Sequence, residues 1–219
     1  MGPKDFSTGE KRRLQPWGVL TLVMLSGLAM MRNGVDVELG PPQPAAASAP
    51  DTRPIGVAPE TPSGLRPLPF APASRVRIPS IDVKAPVMDV GLDASGWIEA
   101  PPPQDANMAG WYQNGIAPGQ RGTAVIVGHV DNAAGPAVFY NLGSMEKGRR
   151  IEVERYDGRI AVFEVYGVEV YSKENFPGVR VYGDTGAPEL RVITCGGGYT
   201  KANGYAGNVV VFARMVQTR

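Results

Sequence analysis

From Ser74 onward the chain is written in short apolar runs separated by turn residues, the pattern of strands rather than of helices. "SRVRIPSIDVKAPVMDVGLD" carries β-branched runs broken by Pro79 and Pro86. "TAVIVGHV" is apolar almost without interruption, as a buried strand is. "GRRIEVERYDGRIAVFEVYGVEVYSK" alternates on either side of Asp157-Gly158, a dipeptide that predicts a hairpin with a type I′ turn. "LRVITC" and "NVVVFARMV" complete the strands, and only "NMAGWY" and "AVFYNLGSM" read as short helices. Many short strands without strand–helix alternation predict an all-β domain, an antiparallel barrel closed or nearly closed on itself.

The pattern ahead of Ser74 is different. Lys11 to Arg13 form a basic cluster, and the stretch from Trp17 to Met31 then carries no charge before Arg32. A spanning helix needs ~20 apolar residues, with ~17 at the short end, whereas the core of a signal peptide needs roughly 7–15. No cleavage site follows closely: "MRNGVDVELG" is unsuitable and the small-residue run from Pro44 to Ala49 is too distant. The reading is an uncleaved membrane anchor over 14–31, a basic cytoplasmic N-terminus over 1–13, and an extracytoplasmic remainder. From about Glu38 to Ser74, within a spacer over 32–74, prolines recur too often for helix or interior strand, and the residues between them offer little to bury. A disordered Pro/Ala-rich spacer is expected there, semi-extended at ~3.1 Å per residue and without a binding role. The folded domain is then 75–219.

Charge and rare residues narrow the chemistry. Lys+Arg 22 against Asp+Glu 21 leaves a net charge of +1, so no basic field exists to neutralise phosphates, and nucleic acid is not an expected partner. One cysteine cannot form an internal disulfide. With one histidine it cannot fill a structural zinc site, so no metal is expected.

Those two single residues, Cys195 and His129, each end an apolar run. Strand ends at a barrel rim bring sequence-distant side chains together, which makes the pair a candidate nucleophile and base in one groove. Gly196, Gly197 and Gly198 follow the cysteine directly. They remove side chains beside the sulfur, so a substrate backbone can approach and chain amides stay uncovered. With ordinary values of ~8.5 for a thiol and ~6.5 for an imidazole, only a minority of molecules hold thiolate and imidazolium together near neutral pH. A neighbouring cation would raise that fraction.

The same residues carry a resemblance. "LRVITCGG" resembles the T-L-x-T-C signature of sortases, the transpeptidases of Gram-positive bacteria, with Thr194-Cys195 in the matching places and Val192 where Leu is usual. "VIVGHVDN" resembles the histidine segment of that family and "RIPSIDVKAPVMDVGLD" its opening strands, in the same order. The similarity runs from Val76 to Val216, and the paired glycines after the cysteine resemble class F, or the E/F type. The resemblance implies a closed eight-stranded sortase-like β-barrel with short helices. It also implies an activity: Cys195 attacks the Thr carbonyl of an LPxTG-like sorting signal, and His129 protonates the leaving amine. The acyl-thioester is then resolved by an amine of a peptidoglycan precursor or pilin, or by water. No cofactor is implied. Thr194, Gly196, Gly197 and Tyr199 become candidates for the substrate groove, with Tyr205 beside them.

One family feature is absent. Sortases usually place an arginine just before the last strand, yet Ala206, Gly207 and Asn208 stand there. Arg214 lies about six residues further, at ~3.3 Å each too far along the strand, and reads as a surface charge. Arg180 and Lys201 in loops are the candidate cations, and Asn208 a neutral donor in the arginine's place. Asp131 and Asn132 read first as turn residues, with a role in orienting His129 as the alternative. Trp97 and Trp111 read as packing anchors. The sequence lacks the cysteine motifs of L,D-transpeptidases and of papain-like proteases. A non-catalytic barrel that binds peptide or wall polymer, or a simple cysteine peptidase or hydrolase, remains the alternative function.

Overall fold

The computed structural model describes residues 40–44 and 65–219, all within one compact unit, Gly40–Arg219. The N-terminus over 1–13, the anchor over 14–31 and the greater part of the 32–74 spacer lie outside the described residues. Among the described residues no helix is long and apolar enough to cross a membrane.

The strands are β1 (Ala73–Ile78), β2 (Val83–Val90), β3 (Ala109–Tyr112), β4 (Gly122–Gly128), β5 (Asp131–Asn132), β6 (Gly135–Pro136), β7 (Arg150–Arg155), β8 (Ile160–Ser172), β9 (Pro188–Thr200) and β10 (Gly204–Thr218). A short helix α1 (Gly178–Tyr182) sits in the β8–β9 connection, and single 3-10 turns cover Pro79–Ile81 and Leu142–Ser144. The barrel closes in the order β1-β2-β3-β4-β9-β10-β8-β7, with β5 and β6 as a separate two-stranded ribbon. The eight-stranded all-β barrel read from the sequence is therefore the fold. It is mixed rather than antiparallel throughout, because β2·β3 and β4·β9 run parallel. Apolar alternation reports which face is buried, not the direction of the neighbour, so this feature is invisible to periodicity.

Two hydrophobic layers explain why the central strands are apolar at consecutive positions. Ala124 and Ile126 of β4, Leu190 and Val192 of β9, and Val209 and Val211 of β10 fill the barrel interior. Their sequence neighbours Val125, Val127, Ile193, Val210 and Phe212 form a second layer with Val90 of β2 and Val181 of α1, packed by Ile98 of the β2–β3 connection, Tyr171 of β8 and Phe176 of the β8–β9 connection. Strands buried on both faces lose the polar alternation of a half-exposed sheet.

Several local expectations are corrected. "NMAGWY" contains strand β3 rather than a helix, with Trp111 1% exposed and its indole N–H donating to the Ile116 carbonyl at 3.0 Å. In "AVFYNLGSM" only Leu142–Ser144 is helical, as one 3-10 turn. The β7–β8 hairpin is not closed by a type I′ turn, which needs two residues at positive φ. Only Gly158 takes one, at 79°, and its N–H closes onto the Arg155 carbonyl at 3.1 Å. The spacer's described C-terminal end is not disordered. Leu65 and Leu68 pack against the core, Leu68 N–H donates to the Gly119 carbonyl at 2.8 Å, and the buried Arg155 guanidinium donates to the Pro69 carbonyl at 2.6 Å. Two leucines and an available buried donor offset the chain entropy that the prolines alone suggested could not be recovered.

Candidate active site

Strands β4 and β9 run side by side with Ile126 opposite Val192 and Val127 opposite Ile193. Continued by two residues, that register sets Gly128 beside Thr194 and His129 beside Cys195. The first step is fixed by a bond: the buried Thr194 hydroxyl donates to the Gly128 carbonyl at 2.8 Å. On the other side of β9, Cys195 lies opposite Asn208 of β10. Cys195, His129 and Asn208 thus stand at the same end of three adjacent strands, and of the three Cys195 and Asn208 line the groove described next.

Cys195 is half-buried and opens into a groove of about 650 Å³. Its floor is Val127, Gly128, Ile193, Thr194, Cys195 and Asn208. One wall comes from the β2–β3 connection, with Trp97, Ile98 and Glu99. The other comes from the β8–β9 connection, with Lys173, Glu174 and Tyr182. The walls meet where Trp97 sets its edge on Phe176, ring centres 5.7 Å apart. Trp97 is thus a groove residue as well as a packing contact, whereas Trp111 is purely core. A second chamber of about 320 Å³ shares Trp97, Ile98 and Tyr182 with the groove, and it is lined further by Leu92, Tyr112, Ile116 and Val125.

His129 is held by both ends. Its Nε2 lies 2.7 Å from the Pro101 carbonyl oxygen, and its own carbonyl accepts the Phe139 N–H at 3.0 Å. A carbonyl oxygen can only accept, so Nε2 carries hydrogen and Nδ1 is the nitrogen left for proton exchange. Burial pushes the Cys195 thiol above its ordinary range; the Lys173 ammonium opposes the rise and the Asp131 carboxylate adds to it.

The cation nearest the chemistry is not one of those expected. Lys173 follows the end of β8, its backbone N–H donates to the Ala206 carbonyl at 3.0 Å, and it shares the groove with Cys195 and Asn208. It therefore stands one strand over from Ala206, Gly207 and Asn208, where the resemblance led an arginine to be expected. Arg180 is engaged elsewhere, with its guanidinium on Glu169 at 3.1 Å and on the Tyr171 hydroxyl at 2.9 Å, over the Phe212 ring. Lys201 is exposed in the β9–β10 turn, and neither lines the groove. Arg214 pairs with Glu164 at 2.9 Å, at a register level with Glu189 and far along β10 from Cys195.

The three glycines do different work. A Cβ on Gly196 would stand 2.5 Å from Val209 Cγ2, so this glycine lets β9 and β10 close rather than opening space for a substrate. Gly197 has φ of 77° and its N–H donates to Gln43 Oε1 at 3.3 Å, while Gly198 faces open space. Tyr199 is exposed, does not line the groove, and packs with its ring tilted against Tyr205, ring centres 5.0 Å apart. The Tyr205 hydroxyl donates to Asp131 in a short hydrogen bond, which ties the segment after His129 to β10. Asn132 is a turn residue, accepting the Ala134 N–H at 2.8 Å and donating to the Pro103 carbonyl at 2.9 Å. Sequence reasoning missed Lys173 and Gln43. The first could have been found as the lone cation closing the alternating run "VEVYSK"; nothing local marks the second.

The sortase-domain family model matches residues 76–216. Solved structures of similar fold include the SrtA sortase of Actinomyces oris, at 20% identity and a TM-score of 0.52 over 72% of this chain and 89% of that one. They include Listeria monocytogenes sortase A, at 18% identity and a TM-score of 0.50 over 68% and 90%. A lid mutant of Corynebacterium diphtheriae sortase A gives 22% identity and a TM-score of 0.51 over 68% and 73%. No curated protein matches by sequence.

Proposed function

The chain belongs to the sortase family, and from that premise we propose that it is a membrane-anchored cysteine transpeptidase of the class E/F type, cleaving an LPxTG-like sorting signal outside the cytoplasm and passing the protein to a cell-wall amine. The observation that supports the reading is the β4/β9 register, which, continued two residues past Val127 and Ile193, sets the chain's single histidine level with its single cysteine, and the groove that Cys195 lines. In this reading the Cys195 thiolate attacks the carbonyl carbon of the Thr before the scissile bond. A carbon–sulfur bond forms, the carbon–nitrogen bond breaks, and the leaving amine takes its proton from His129 Nδ1. The acceptor amine then attacks the thioester, releases the thiolate and returns a proton to His129.

Lys173 supplies the positive charge that favours the thiolate, and Asn208 supplies a neutral donor to the developing oxyanion. The apolar second chamber suits an aliphatic side chain, which supports leucine at the start of the signal. The groove takes in Val127 and Gly128 of β4 and Ile193 to Cys195 of β9.

The reading is tested by profiling the protein against a pentapeptide library with candidate wall amines present, beside Cys195→Ala. The expected result is an amide-exchanged product from peptides of the LPxTG type and none from the variant, which keeps its fold. Product from Cys195→Ala, or no cleavage of any such peptide by the wild type, rejects it.

A further inference from the structure

Two glutamates of the barrel domain are unlike the others. Glu146, Glu152, Glu154, Glu164, Glu169 and Glu189 each stand in an ion pair with an arginine. Among the described residues Glu99 and Glu174 are the glutamates that do not, and both line the groove that opens at Cys195. They belong to its two walls. Glu99 comes two residues after Trp97 and Glu174 two residues before Phe176, the rings whose edge contact joins those walls.

A small hairpin places Glu99. Leu92 bridges Ile98, the Asp93 N–H donates to the Trp97 carbonyl at 2.8 Å, and the Glu99 N–H donates to the Gly91 carbonyl at 3.0 Å. Asp93, the third carboxylate of the groove, is engaged within this hairpin, where its Oδ1 accepts the N–H groups of Ser95 and Trp97. The wall then runs from Ile98, which the groove shares with the apolar chamber, through Glu99 and Ala100 to Pro101, whose carbonyl holds His129. Glu99 therefore lies between the place for an aliphatic side chain and the reacting residues. On the facing wall Glu174 follows Lys173, and the three carboxylates of the groove stand against that one ammonium.

We propose that Glu99 and Glu174 select a cationic side chain: the sorting signal of this enzyme carries lysine or arginine between its leading aliphatic residue and the Thr whose carbonyl meets Cys195. The inference rests on the transpeptidase reading for the place of the peptide, and on these two carboxylates for the sign of the charge. Trp97 and Ile98 beside Glu99 offer apolar surface to the stem of a lysine or arginine while its head group reaches the carboxylates at the rim. Both glutamates are exposed, so each pairing is of the solvent-screened kind, a factor of up to about five, and the two together are on the order of tenfold.

The test compares peptides Leu-Pro-X-Thr-Gly, with X as Lys, Arg, Gln or Glu, on the full-length protein, reading kcat/KM for turnover and Kd for binding to Cys195→Ala. The Lys and Arg peptides should exceed the Gln peptide by about threefold or more in both readouts, and the Glu peptide should fall below it. The preference should shrink in Glu99→Gln and in Glu174→Gln and vanish in the double variant. It should also fade in the wild type as salt rises, since exposed charges are screened beyond ~10 Å at about 0.1 M. Glu99→Lys with Glu174→Lys should turn the preference toward the Glu peptide, an inversion that a merely structural role of the two residues does not produce. Equal values for the Lys and Gln peptides in the wild type, or a preference that survives the double Gln variant, overturn the proposal. A raised KM for the acceptor amine in that variant, with the peptide preference intact, assigns the charge to the second substrate and overturns it too. Charge-selective binding to Cys195→Ala with no turnover of any peptide by the wild type leaves the selectivity standing and removes the transpeptidase reading, whereas turnover without charge preference does the reverse.

Discussion

Thr194 and Gly128 are joined across two parallel strands by a buried hydroxyl-to-carbonyl bond of 2.8 Å, and the next residue on each strand is Cys195 and His129. The bond ties the two strands one residue short of the proposed nucleophile and proton donor, without involving either. Thr194→Val keeps the shape and removes the donor, leaving a buried carbonyl unpaired at about 1–3 kcal/mol of stability. Peptide turnover should fall by about tenfold or more, since small misplacements of reacting groups have such effects, and Thr194→Ser should restore it. Wild-type turnover in Thr194→Val, measured at a temperature where the fold is intact, contradicts this positioning role.

The missing arginine of the last strand is answered from the neighbouring strand end. Lys173→Ala should slow acyl-enzyme formation by about 10-fold or more, within the range set by losing one stabilising group at an oxyanion site, and Lys173→Arg should retain most of the rate. Arg180→Ala, Lys201→Ala and Arg214→Ala should change the acylation step little, because the first and last are paired with Glu169 and Glu164 and Lys201 is in the exposed turn. Single-turnover kinetics with one good peptide compares all five. A dead Arg180→Ala beside an active Lys173→Ala would reverse the assignment.

The barrel and its strand ends were legible because they are written locally: alternation, turn residues, and an apolar run ending in the only cysteine. What was not legible depends on how strands pair. That Asn208 faces Cys195 and that Lys173 reaches the same groove both follow from the register of β8, β9 and β10, and a shift of two residues would have looked identical in sequence. Gly196 was read as an opening for substrate, yet its hydrogen faces Val209, a packing demand known only once β10 is in place. Gln43, which accepts the Gly197 N–H, was read as part of an inert spacer because proline-rich composition reports conformational preference and says nothing about a partner elsewhere in the fold.

The three influences on the thiol set a pH dependence. Burial, the largest, holds the Cys195 pKa above the ordinary thiol value, so iodoacetamide alkylation should keep rising with pH beyond the point where a free cysteine levels off. Lys173 stabilises the thiolate, so Lys173→Ala should move the midpoint further up. Asp131 destabilises it, and Asp131→Asn, which can still accept the Tyr205 hydroxyl, should move it down. Shifts of opposite sign in the two variants are required; a midpoint unmoved by both means that neither charge acts on the sulfur.

Beneath the 173–187 connection that delivers Lys173, Arg191 and Glu189 form a buried ion pair at 2.5 Å. Arg191 lies over the Phe212 ring at 4.6 Å, and the Tyr166 hydroxyl donates to the same Glu189 oxygen at 3.0 Å. Among the described residues the second Glu189 oxygen and Arg191 Nε have no partner, so the pair does not recover all that burial of two charges costs. The asymmetry of such pairs gives a sharp expectation. Arg191→Met alone strands the Glu189 carboxylate and should lower stability by about 3–5 kcal/mol, whereas Arg191→Met with Glu189→Leu should regain most of it. The double variant should still fall short by about 1 kcal/mol, because Tyr166 loses its acceptor. Urea unfolding of the wild type, Arg191→Met, Glu189→Leu and the double variant closes the cycle. A silent Arg191→Met would mean that water reaches Glu189 and that the connection over it is open in solution, and the wall holding Lys173 beside Cys195 would then not be fixed from below.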